Sequence, residues 1–118
     1  MKIENIKFKA KSLNSGKWIE GDLIRKSNGI YIRRHKYLSV IVDPSTVCQF
    51  TGLKDKDGKP IYEGDIVDFG GEGKVVFKGG AFYAKFGKYT ECLLSSLVES
   101  KESITVVGSE FDRKEGEK

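Results

Sequence analysis

Asp55, Asp57, Glu63, Asp65 and Asp68 crowd one short stretch of the chain. Carboxylates gathered in this way suit two kinds of chemistry, holding a hard cation and moving a proton. A calcium ion needs several oxygens converging at about 2.3–2.6 Å. A calcium-binding EF-hand loop sets Asp-x-Asp-x-Asp-Gly ahead of a later glutamate, whereas here Gly58 directly follows Asp57 and the pattern fails. The competing assignment is turn capping, in which aspartate oxygens accept from nearby backbone N–H groups and fix a loop. The spacing favours capping, and no metal is expected.

Nucleophilic chemistry is less well served. It needs a nucleophile, a base and an orienting group within hydrogen-bond reach. His35 is the single histidine, and no motif links it to Ser39, Cys48 or Cys92. Gly70-Gly71-Glu72-Gly73 is not a phosphate-binding loop, because no Lys-Ser/Thr pair follows and the next residues read as a strand. The expectation is a non-enzyme with no catalytic residues and no cofactor.

The remaining candidate is basic. Arg33-Arg34-His35-Lys36 lies between Tyr31 and Tyr37, with Arg25-Lys26 upstream. Cationic side chains neutralise phosphates, and neighbouring aromatic rings stack on bases. Arg33, Arg34, Lys36, Tyr31 and Tyr37 therefore form the candidate nucleic-acid site. The plainer alternative is a solvated hairpin tip whose tyrosines face the core.

The elements that must carry these residues read as short strands. Ile6, Phe8 and Ala10 alternate with Lys7, Lys9 and Lys11, the period of a half-buried strand. Asn14-Ser15-Gly16 marks a turn, a strand runs from Lys17 to Ile24, and Ser27-Asn28-Gly29 is a hairpin signal. Ile30-Tyr31-Ile32 opens a third strand, the basic patch interrupts it or forms a loop, and Tyr37 to Val42 forms a fourth. Thr46 to Phe50 reads as a short strand, Lys54 to Lys59 as a loop, and Tyr62 to Asp65 as a tight turn. Strands follow at 66–69, 74–78, 81–86 and 104–107, separated by glycine turns. The one helix expected spans 91–100, where Leu93, Leu94, Leu97 and Val98 have helical spacing.

This pattern predicts an all-β protein. A small antiparallel unit occupies 1–50, an SH3-like barrel 51–111, and a disordered charged tail 112–118. With 118 residues, 14 glycines and 2 prolines, tight turns are affordable throughout. The formal charge of +4 permits a polyanion partner without requiring one. Cys48 and Cys92 are far apart and sit among apolar residues, as small buried thiols of a reducing cytosol do. Neither a signal-like segment nor a run of ~20 apolar residues is present, so the expected location is the cytoplasm, with no membrane partner.

The segment Gln49 to Val67, with Thr51, Gly52, Asp55, Gly58, Tyr62, Glu63, Gly64 and Asp65, closely resembles the signature of the YopX-like family of phage and prophage proteins. Ile6 to Ala10 resembles the family's opening strand, Lys17 to Gly21 its tryptophan strand, and Val106 to Ser109 its closing strand. Lys9 stands where the family usually has arginine and Ser109 where it has asparagine. The resemblance implies an all-β fold with an SH3-like barrel, encoded by a phage or prophage in a bacterial host cell, and it brings no catalytic residues. The signature is expected to be a folding element. The functional expectation is a protein-interaction module with a host or phage protein as partner. The alternatives are a nucleic-acid-binding protein using the basic hairpin and, behind it, a metal-dependent enzyme. Edge strands make a homo-oligomer a further expectation.

Overall fold

A computed structural model describes residues 2–100 and 104–112. The chain forms two compact units, dividing between Phe50 and Thr51. The protein is mostly β, as expected, with antiparallel pairing throughout and one short helix among the described residues. Among those residues no helix is long and apolar enough to cross a membrane.

In the first unit, β1 (Phe8–Lys11), β2 (Trp18–Lys26), β3 (Gly29–His35), β4 (Leu38–Val42) and the start of β5 (Cys48–Lys54) lie in the order β4-β3-β2-β1-β5. Alternation decides which side is buried. Ala10 faces Ile19, Leu23 faces Ile32, and Ile30 faces Val42 across the ladders. Ala10, Ile32 and Val42 are buried, with Phe8, Ile19, Ile30 and Val47 packed against them. Burying such a side chain contributes about 1.5–3 kcal/mol. A one-residue slip would turn this set to solvent, so the apolar alternation also sets the register. Between β4 and β5, Asp43 caps a 3-10 turn at Pro44–Thr46 by accepting from the Ser45 N–H at 3.0 Å. Thr46 then accepts from the Lys11 N–H at 2.8 Å.

In the second unit the rest of β5 pairs with β6 (Pro60–Tyr62). A five-stranded sheet follows in the order β10-β9-β8-β7-β11, made of β7 (Asp65–Asp68), β8 (Glu72–Lys78), β9 (Ala81–Phe86), β10 (Thr90–Leu93) and β11 (Thr105–Ser109). Four consecutive strands form a meander, and the fifth returns beside the first. Its core is Ile61, Val67, Val75, Ala84, Leu94, Leu97 and Ile104.

Three local expectations change. The helix is α1 (Leu94–Glu99), shorter than the 91–100 expected, because Thr90 to Leu93 pairs with Tyr83 to Phe86 as a strand. A helix of this length is not stable alone. Burial of Leu94 and Leu97 holds it. The basic patch does not interrupt the third strand, since Arg33 and His35 pair with Ser39 and Leu38. Asp112, expected to open the disordered tail of 112–118, instead closes a 3-10 turn at Glu110–Asp112. The remainder of that tail lies outside the described residues.

Candidate functional site

The acidic block is a frame. Asp55 is buried, and its Oδ1 accepts from the N–H groups of Asp57 and Lys59, each at 2.9 Å. Its Oδ2 accepts from the Val106 N–H at 2.9 Å, which ties the signature loop to β11. The loop closes on itself through the Asp55 N–H to the Lys59 carbonyl at 2.9 Å, and Gly58 supplies the left-handed φ of 82° that this turn requires. Burial alone would raise the Asp55 pKa. The N–H groups of Val106, Lys59 and Asp57, helped by the Lys59 charge, more than offset this and hold the carboxyl below its ordinary value of 3.8.

Asp65 is buried in the same manner. Its Oδ2 accepts from the Tyr62 N–H at 2.8 Å and closes the tight turn from β6 to β7. Gly64 completes this turn at φ 85°; its N–H reaches the Val75 carbonyl at 2.8 Å and its own carbonyl accepts from Glu110 at 2.9 Å. The Tyr62 ring is buried, as its place in the signature suggests. Thr51 donates to the Ile61 carbonyl at 2.7 Å and accepts from the Leu53 N–H at 3.1 Å. Gln49 is exposed opposite Phe8, Gly52 turns the strand at φ 84°, and Glu63 is half-buried. Asp57 is exposed, and Asp68 accepts from the Gly71 N–H at 3.1 Å. Among the described residues, no group of three or more His, Cys, Asp or Glu side chains is arranged to hold a metal ion.

The candidate nucleophiles and the histidine lie on separate strands. Cys48 is buried, with its thiol donating to the Thr46 carbonyl at 3.2 Å. Cys92 is half-buried against the second core, more exposed than expected, and neither cysteine forms a disulfide. His35 and Ser39 are exposed.

The basic hairpin is the opposite of a frame. Arg33, Arg34, His35, Lys36 and Tyr37 are all exposed. Arg34 is an extra residue in the ladder between β3 and β4, a bulge that bends and twists the hairpin toward its tip. Lys36 and Tyr37 form the two-residue turn, with the Lys36 ammonium 5.4 Å from the Tyr37 ring centroid. Tyr37 is 84% exposed, which overturns the view that both tyrosines face the core. Tyr31 is half-buried on the sheet face opposite Ile32, beneath Lys26 at 4.5 Å.

Charge sharpens this contrast. Residues 1–50 hold ten basic and four acidic side chains, a net +6, while 51–118 hold eleven and thirteen, a net −2. The whole-chain value of +4 conceals the separation. Summing charge on either side of the expected boundary at residue 50 would have found it.

No curated protein matches the chain. A family model described as YopX protein matches residues 1–115, which include the framed loop, the tight turn and the basic hairpin. That match covers nearly the whole sequence, and this chain belongs to the YopX protein family.

Proposed function

We propose that this protein is a non-enzymatic binding module whose first unit takes a polyanion, with nucleic acid as the partner. In a phage or prophage setting it would serve as an accessory protein in the cytoplasm of the bacterial host. The observation that carries this reading is the net +6 of residues 1–50 together with a fully exposed Arg33–Tyr37 tip. Concentrated positive charge on a small compact unit raises the local concentration of a polyanion. The acidic block supports the non-enzymatic part, because Asp55 and Asp65 already spend their oxygens on backbone N–H groups.

The test is fluorescence anisotropy of a labelled oligonucleotide against the full chain and a variant carrying Arg33→Ala, Arg34→Ala and Lys36→Ala. The expected result is binding that weakens at least about ten-fold in the variant, with an unchanged thermal melt, since these contacts face solvent. Equal binding by the two proteins would remove the hairpin from the site.

A protein partner is the second reading, and one feature favours it. On the five-stranded sheet, Tyr83 lies opposite both Val76 and Leu93, forming a row on the side away from the core. A host or phage protein captured from lysate by the tagged chain, and retained after nuclease, would support this surface if Tyr83→Glu releases it. Loss of all captured material on nuclease treatment would support the nucleic-acid reading.

A further inference from the structure

We propose that the open face of the first sheet is a track for single-stranded nucleic acid, with the hairpin tip as one end of it. This rests on the nucleic-acid reading above and adds the binding mode. Lys7, Lys9 and Lys11 recur at every second residue, so they share one side of β1. The ladder sets Lys11 opposite Trp18, and the Trp18 ring lies under the ammonium groups of Lys9 at 4.5 Å and Lys11 at 5.4 Å. Lys26 covers Tyr31 at 4.5 Å, and Lys7 lies over the Phe50 ring at 4.6 Å; Phe50 is buried, so Trp18 and Tyr31 are the rings that a base can reach. Glu20 and Asp22 also lie on this side, opposite Lys9 and Arg33, and the cations still outnumber them.

Rings and ammonium groups alternating across a sheet are the two components a single strand needs. The rings offer a stacking surface to any base, and the lysines meet the phosphates between stacked bases. A base displaces the lysine from Trp18 or Tyr31, and the released ammonium turns to phosphate. Tyr31 pairs with Ile24, six residues along β2 from Trp18, a distance of about 20 Å at the usual rise of a strand. That span suits a site within the ~4–16 nucleotides typical of single-strand binders. A duplex hides its base faces and cannot use the rings.

Trp18 is the single tryptophan of the chain, so its emission reports this face alone. The experiment titrates the full chain with oligothymidylate, reading Trp18 emission and the anisotropy of a labelled oligomer in parallel. The expected result is saturable quenching that tracks binding, with a duplex of equal length at least about ten-fold weaker. Heparin, which has charge but no bases, should compete without quenching. Lys7→Gln with Lys26→Gln should weaken binding and lower the slope against log salt by about 1.4, at ~0.7 per lost phosphate contact. Binding seen by anisotropy with Trp18 emission unchanged would overturn the track and leave the hairpin site standing. Equal affinity for duplex, or quenching by heparin, would overturn base stacking. No binding of any oligomer at low salt would overturn both this proposal and the reading beneath it.

Discussion

At the scale of single residues, the same chemical groups serve opposite ends in the two units. Asp55 is charged and buried, yet stable there because three backbone N–H groups converge on it. Removing the charge leaves those donors poorly satisfied, and Asp55→Asn should cost about 1–3 kcal/mol at neutral pH. The sign of the pH dependence follows from the lowered pKa. The folded carboxyl titrates below the ordinary 3.8, so its contribution is complete above that value and is lost as pH falls through the folded value. Urea midpoints of the two proteins from pH 7 down to pH 2 should therefore converge in acid, and a constant difference would refute the assignment. Trp18 shows the other use of a residue. Its two lysine contacts are of the cation–π type, together about 1–2 kcal/mol, and a stacked base contributes about 1–3 kcal/mol, so the exchange is close to even and the contacts of the released ammonium groups with phosphate tip it toward binding.

At the scale of elements, close backbone approach explains a glycine that the alternation alone does not. Gly21 lies in β2 with φ 155°, and an added Cβ would sit 2.2 Å from the Arg33 carbonyl oxygen. Backbone cannot swing aside as a side chain can, so Gly21→Ala should destabilise the β2-β3 pairing by about 1–3 kcal/mol. Gly16→Ala is the control. It has φ 72° but nothing within 4 Å, leaving only the left-handed penalty of about 1–2 kcal/mol. A thermal melt that fell further for Gly16→Ala than for Gly21→Ala would show that the clash is relieved cheaply. Gly21 also shows where sequence reading stops. The period-two pattern of Ile6 to Ala10 and the turn signals are local, and they give the strands and all-β class directly. The contact of Gly21 with Arg33 depends on the exact register of the hairpin, and the bond from Val106 to Asp55 joins residues 51 apart in sequence, which no local window contains. Leu93 and Leu94 share helical spacing with Leu97 and Val98, yet pairing with Tyr83 places Leu93 in β10. The basic patch was legible as charge. Its continuation of β3 through a bulge was not, because polar strand ends have no apolar alternation to mark them.

At the scale of the whole molecule, net charge matters less than where it sits. A net +6 on residues 1–50 and −2 on 51–118 predicts that binding depends on which lysines are removed, not how many. Lys85 and Lys88 are exposed residues of the second unit, and Lys85→Gln with Lys88→Gln should leave oligonucleotide affinity within about two-fold of the parent. Loss of Arg33, Arg34 and Lys36 should remove most of it. The salt dependence supplies an independent scale, because each phosphate neutralised on a single strand contributes about −0.7 to the slope of log affinity against log salt. If the first unit engages about five or six phosphates, the parent slope lies near −4, the second-unit variant keeps it, and the hairpin variant falls to about −2. A slope reduced equally by both variants would mean that the chain attracts polyanions through its total charge, with no surface specialised for the task.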